Sequence, residues 1–404
     1  MKKTPFILFC LFISFSVSAQ YKNDNVLFKT VYPQDLCLTL TQQPGYLLLD
    51  VRSKGEFEDT SSFGLNIGHL KDAINVDVRN LGKQISLMNS YKFKPVFVYC
   101  SHSQRSRRAS KMLADSGFMQ VFNINGGMTA LHQFKMNNDC IDKLIQANLP
   151  YRLLPNGELC AKLKDQSVTI LDVRSDSAYK QITSDAEVNS YGYLKNSIHI
   201  PLAELESRIG ELSPNKEIVI VDLFEDESPK AAVLLKKKGY NSLSVLAEGI
   251  EKIVYADKGT IPCLADQYLS PVKFQFMNGS ELNVMIETGK EMLILDIRSV
   301  NEFTNKHENF WQNIGNITGA VNIPLDSLLG KLSSIAKYTN KPVVVYSFST
   351  NTKVFEAAGL LTKNGFSKVN LLMGGIFNFR WTAANVKGKE TMKNKVENVP
   401  AENL

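Results

Sequence analysis

Short apolar runs recur along the chain, separated by stretches of helical spacing. The segments LLLDVRS (47–53), ILDVRSD (170–176) and LILDIRS (293–299) each pass from aliphatic residues into Asp-Val/Ile-Arg-Ser. About fifty residues after each aspartate comes a second run: KPVFVYC (94–100), KEIVIVD (216–222) and KPVVVYS (341–347). These runs lack the apolar and polar alternation of a half-exposed strand. They therefore predict strands buried on both faces, which is the condition of a parallel sheet covered by helices. RASKMLADSGF and AAVLLKKKGY have helical periodicity and end near a glycine able to take a left-handed cap. The fold class predicted is α/β, with each unit a parallel sheet flanked by helices.

The repetition extends to further markers. DAINVDV, NSIHIPL and GAVNIPL keep step, as do NINGGM, VLAEGI and LMGGIF. Asp50, Asp172 and Asp296 fall 122 and 124 residues apart, so one unit occurs three times in tandem. The expected domains are 28–138, 150–258 and 272–385, with short linkers at 139–149 and 259–271 that pack the units together. Residues 386–404 are polar and are expected to form a loose tail. At the other end, MKKTPFILFCLFISFSVSAQ has a basic start, a short apolar stretch and a small-residue exit, the pattern of a signal peptide spanning 1–19. Cleavage is expected near Ala19, leaving an exported chain, periplasmic or secreted. Cys10 is not a lipoprotein cysteine on this reading, because bulky Phe9 precedes it.

Composition changes this picture little. The chain has 404 residues and a net charge of +6, which falls to +4 without Lys2 and Lys3. No basic tract points to nucleic acid, and no stretch after the leader is apolar for long enough to span a membrane. Without Cys10 there are five cysteines, an odd number in an oxidising compartment, so at least one is free or pairs outside the chain. No Cys-x-x-Cys suggests a dithiol oxidoreductase.

The candidate chemistry lies where the second run ends. Counting from the aspartates places Cys100, Asp222 and Ser347 in one slot, where a strand's carboxyl end meets a loop and a helix, the usual ligand position of an open α/β sheet. A thiol there feels the helix N-terminus and the unpaired loop amides, while Arg105 adds positive charge. Such a site favours a nucleophilic thiolate and attracts an anion. Arg107, Arg108 and Lys111 either reinforce this charge or form the solvated face of the following helix. The second loop, DLFEDES, carries four carboxylates at no calcium-loop spacing and is expected to be a solvated acidic loop that repels anions. In the third, SFSTNTK, Thr352 takes the arginine slot and no base neighbours Ser347.

These motifs resemble the rhodanese family, over nearly the whole mature chain and in three tandem rhodanese-like domains. The carriers are the Asp-Val-Arg strand end, GHLKDAINV (68–76), the loop CSHSQRS (100–106) and NGGM. Ser103 and Asp72 stand where the family has glycine. The resemblance implies sulfane sulfur transfer through a Cys100 persulfide, from a small anionic donor such as thiosulfate to a thiol or cyanide. It implies catalytic roles for Cys100 and Arg105, a binding loop of Ser101, His102, Ser103, Gln104 and Ser106, no cofactor and no metal. Asp222 and Ser347 mark two degenerate sites. A noncatalytic binding or scaffold protein is the alternative. A thiolate phosphatase or arsenate reductase is disfavoured, because four residues separate Cys100 from Arg105 where those loops have five. Arg52, Arg174 and Arg298 recur in all three units and are read as structural partners of the neighbouring aspartates. Cys37 and Cys160 occupy matching places and are read as packing residues. Cys140 and Cys263 lie near linkers, where a disulfide stays open.

Overall fold

The apolar runs become the centre of three sheets. A computed structural model describes residues 27–400 apart from 62–64, 136–137, 257–258 and 260; the segment 1–19 expected to be a signal peptide lies outside them. In the first unit the strands lie in the order Lys29–Val31, Gln120–Ile124, Pro95–Tyr99, Leu47–Asp50, Ile74–Asn75, all parallel. The second sheet orders Arg152–Leu154, Leu243–Leu246, Glu217–Val221, Val168–Asp172 and Ile198–His199 in the same way. The third orders Gln275–Met277, Val369–Leu372, Val343–Tyr346, Leu293–Asp296 and Val321–Asn322. Every residue of Leu47–Asp50, Pro95–Tyr99 and Val343–Tyr346 is buried, as a sheet covered on both faces requires. Each fully buried aliphatic side chain there contributes about 1.5–3 kcal/mol, so a charge at Val98 would unseat the first sheet.

The polar ends of these strands are locked by charge. Asp50 and Arg52 form a fully buried pair at 2.7 Å, and the guanidinium also donates to Gly68 O at 2.6 Å. Asp172 with Arg174 and Asp296 with Arg298 repeat the arrangement, each pair at 2.6 Å. The arginines of the Asp-Val/Ile-Arg motif are thus structural, tying a strand end to the loop that crosses it.

The units are not separate bodies on a string. One apolar cluster joins Phe97 and Tyr99 of the first to Leu153 and Leu171 of the second, and another joins Leu246 and Val219 of the second to Leu295 and Val345 of the third. Two expectations are corrected here. Cys37 is bonded to Cys140 and Cys160 to Cys263, each across 103 residues, so neither Cys37 nor Cys160 is a mere packing residue. Each bridge clasps the first helix of a unit to the segment leaving it. Those segments then form antiparallel ribbons, Ile145–Gln146 with His69–Leu70 and Tyr268–Leu269 with Tyr193–Leu194. The tail is likewise not loose through residue 400. Residues Glu390–Lys395 form a 3-10 helix and Val396–Glu397 pairs with Asn316–Ile317, the third such ribbon, because Met392 and Val396 are apolar anchors within the polar stretch and both are buried.

Candidate active site

Strand Pro95–Tyr99 delivers Cys100 into a tight loop that enters helix Gln104–Asp115. The loop is pressed from below by the helix that follows the glycine pair. Met128 N–H donates to Cys100 O at 2.9 Å and Thr129 N–H to Ser101 O at 3.1 Å. A Cβ on Gly127 would lie 2.1 Å from Cys100 O, which is why glycine closes the motif. Gly249 and Gly375 do the same beneath the second and third loops.

Inside the loop, Ser103 N–H donates to Cys100 Sγ at 3.2 Å, and Ser106 Oγ lies 3.6 Å from the sulfur. Cys100 is the free cysteine among the described residues and is 1% exposed, packed on Leu49, Val51 and Val98. The sulfur therefore sits at the floor of the loop, beneath the surface. Ser103, standing where glycine is usual, adopts φ +90°, a strained value for a residue with a side chain. Its hydroxyl is held in return: it accepts from Gly126 N–H and donates to Asn125 Oδ1 at 3.1 Å. Asp72 sits at φ +63°, a conformation aspartate tolerates in turns.

Arg105 is less free than its charge suggests. Its guanidinium forms two 2.7 Å bonds to the Glu56 carboxylate and a 3.0 Å bond to Ser101 Oγ. Burial opposes ionisation of Glu56, but Arg105 and the Ser53 hydroxyl and N–H outweigh it and hold the carboxyl below its ordinary range. The Glu56 bond in turn raises the Arg105 pKa. Sequence reasoning missed Glu56 because it doubles as the N3 partner of Ser53 in a capping box, which accounts for a glutamate there without any site.

The expected site residues divide by position. Ser101, His102 and Arg105 line a cleft of about 1160 Å³ between the first and second domains, opposite Tyr151, Pro229 and Lys230. Gln104 faces a separate cavity of about 890 Å³ where all three domains meet, and His102 borders both. Ser103 and Ser106 are buried under the loop and reach neither. His102 Nε2 lies 3.2 Å from Thr129 Oγ1 and 3.6 Å from Glu248 Oε2 of the second domain. Of the following basic residues, Arg107 donates to Asn385 of the third domain at 2.5 Å, while Lys111 pairs with Asp115 on the exposed helix face.

The second loop shows what the same backbone does with another side chain. Asp222 is buried, and its carboxylate accepts from the N–H groups of Glu225 at 2.8 Å, Glu227 at 2.6 Å and Ser228 at 3.0 Å, and from Ser228 Oγ at 3.0 Å. Glu225, at φ +64° in the slot of Ser103, is also buried and accepts from Glu248 N–H at 2.5 Å. Burial raises its pKa to about 8. The loop expected to be solvated and acidic thus keeps two of its four carboxylates inside, because the loop amides need acceptors. In the third loop Ser347 accepts from Asn351 Nδ2 at 3.3 Å, and Thr350 Oγ1 accepts from Gly374 N–H at 2.6 Å. Among the described residues no cluster of His, Cys, Asp and Glu could hold a metal ion, and no helix is long and apolar enough to cross a membrane.

A family model for the rhodanese-like domain matches residues 34–133, 156–256 and 279–381. The chain belongs to the rhodanese-like family. Its three rhodanese-like domains are the three sheets described above. Over 127 residues it is 31% identical to the uncharacterized protein YqhL of Bacillus subtilis, a match covering 30% of this chain and 85% of that protein. It is 27% identical over 93 residues to the tRNA uridine(34) hydroxylase of Cronobacter sakazakii, covering 22% of this chain but 24% of the hydroxylase. Among solved structures it is similar to a thiosulfate sulfurtransferase from Pseudomonas aeruginosa, at 16% identity over 85% of this chain and 66% of that one, with a TM-score of 0.22.

Proposed function

We propose that this rhodanese-like protein is a sulfurtransferase in which Cys100 carries sulfane sulfur as a persulfide. The observation that carries the reading is the Asp222 carboxylate of the second domain. Its oxygens stand two bonds from Cβ, as the outer sulfur of a cysteine persulfide does, and loop amides converge on them. The first loop has the same backbone course, and the N–H groups of Arg105 and Ser106 precede its first helical bond, Arg107 N–H to Ser103 O at 2.9 Å. A persulfide on Cys100 would give these amides the anionic acceptor that Asp222 gives their counterparts.

In the first step the Cys100 thiolate bonds the outer sulfur of thiosulfate. The S–S bond of the donor breaks and sulfite leaves with its electron pair. In the second, an acceptor thiolate or cyanide bonds the outer sulfur and Cys100 returns as thiolate. Cys100 itself lines neither cavity, so a donor would reach the sulfur from the cleft past Ser101 and Arg105, where Glu56 holds the guanidinium. Cys37–Cys140 and Cys160–Cys263 support export to an oxidising compartment.

Mass spectrometry of the full chain after thiosulfate treatment tests the reading: a mass gain of one sulfur on Cys100, absent in Cys100→Ser, is expected. A wild-type chain that takes up no sulfur overturns it. The burial of Cys100 favours a second reading, a noncatalytic binding module; that reading predicts no sulfur uptake from any donor.

A further inference from the structure

The strand and turn beneath the Cys100 loop carry two buried asparagines that the other domains lack. Asn123 is matched by Val245 and Leu371 in the sheet register, and Asn125 by Ala247 and Met373 just before the glycine motif. Asn123 Oδ1 accepts from Ser106 Oγ at 2.6 Å, the hydroxyl nearest the sulfur. Asn125 does more. Its Oδ1 accepts from the Ser103 hydroxyl, its Nδ2 donates to the backbone carbonyl of Asn385 in the third domain, and Ser103 in turn presents its N–H to Cys100 Sγ. Asn385 is anchored from its other side by Arg107 of the first domain. Ser103, Asn125 and Asn385 are all buried, the two asparagines at the wall of the cavity where the three domains meet.

We propose that the third domain, which has no thiol of its own, positions the sulfur of the first through Asn385, Asn125 and Ser103. This rests on the reading of Cys100 as the reacting group. It also gives Ser103 a reason. A glycine at φ +90° would be unstrained, but it would cut the loop from Asn125, so the strain is retained in exchange for a tether to another domain. The other loops keep the bond from the fourth loop residue to the glycine-motif N–H, through Glu225 and Thr350, but neither has an asparagine behind it. The relay therefore occurs in the one domain that holds a cysteine in the loop. Asn125 and Ser103 are positioning residues: they act through the amide that meets the sulfur.

The test is the rate of Cys100 alkylation by iodoacetamide in the full chain, read beside thermal unfolding. Ser103→Gly removes a strained φ and the tether together, and Asn125→Asp keeps the acceptor for Ser103 while losing the donor to Asn385. Each is expected to change the alkylation rate about tenfold, the scale of one hydrogen bond to a charged group. A purely structural role for Ser103 predicts instead that Ser103→Gly shifts thermal unfolding and leaves the rate alone. Asn385→Ala keeps the carbonyl that Asn125 meets but releases its Arg107 anchor, so combining it with Asn125→Asp should give less than the product of the single effects if the residues act as one unit. Lys387→Ala, which breaks the Lys387–Asp35 contact between the same domains, should leave the rate unchanged. If Asn125→Asp fails to fold, Ser103→Gly decides alone. Rates within twofold of the parent for Ser103→Gly and every folded relay variant overturn the proposal. A parent that alkylates normally but never gains sulfur from thiosulfate overturns the transferase reading instead.

Discussion

The loops at 100–106 and 222–228 share a backbone and differ in what fills it. In the second domain a carboxylate is already seated among the loop amides, and in the first a shorter thiol meets one of them. A nest of N–H groups needs an anion. A domain that supplies its own has a finished structure, and one that withholds it has room for chemistry. On the proposed reading the second domain is closed by completion of its loop, and it contributes Tyr151, Pro229 and Lys230 to the wall of the cleft beside the first loop.

The comparison can be broken most sharply by exchanging the residues. Cys100→Asp should abolish sulfur loading entirely and leave the melting temperature equal or higher, as calorimetry beside mass spectrometry would show; a clear fall in stability would mean the first loop cannot seat a carboxylate. Asp222→Leu should cost about 3 kcal/mol in denaturant unfolding, because buried amides lose their acceptor; a neutral result would show that they were never dependent on it. Asp222→Cys should not gain sulfur, since Glu227 and Ala178 stand where Arg105 and Glu56 do. Arg105→Met strands the Glu56 carboxylate and should destabilise by about 1–2 kcal/mol, a modest figure because the guanidinium is partly exposed and screened.

A last contrast is in pH dependence. Glu225 holds its proton to about pH 8 in the folded chain, against an ordinary value of 4.5. Between those values the folded state binds a proton that the unfolded state has lost, so this group's contribution falls as pH rises. Glu225→Gln should flatten the decline in stability from pH 4.5 to 8, read by denaturant unfolding across that range. Glu248 has the opposite sign. Burial opposes its ionisation, but His102 and Lys252 outweigh that and hold it near 2, so its contribution is lost as pH falls below 4.5.

Much of the site was legible in comparison between copies. Cys100, Arg105 and the slot they share with Asp222 and Ser347 follow from spacing alone. Two further signals were present and unused. The interval of 103 residues from Cys37 to Cys140 repeats from Cys160 to Cys263, and the same interval from Asn283 ends at Val386, marking the one copy with no bridge. NINGGM places asparagines where the other copies have Val245 with Ala247 and Leu371 with Met373, an anomaly within a buried strand end. Glu56 offered no such signal, since its cap role already explained it.

The chain by itself determined three parallel sheets, the position of the thiol and the charge pairs at the strand ends, because each depends on residues within one repeat and on a periodicity that survives in every copy. Only the tertiary structure decided that Glu56 claims Arg105, that Asp222 turns inward, and that Asn385 reaches the Cys100 loop from 260 residues beyond Asn125. Glu56 and Asn385 meet partners 49 and 260 residues away, which leave no local pattern to read, and Asp222 turns inward because the amides of its own loop converge only when that loop is folded over the strand end.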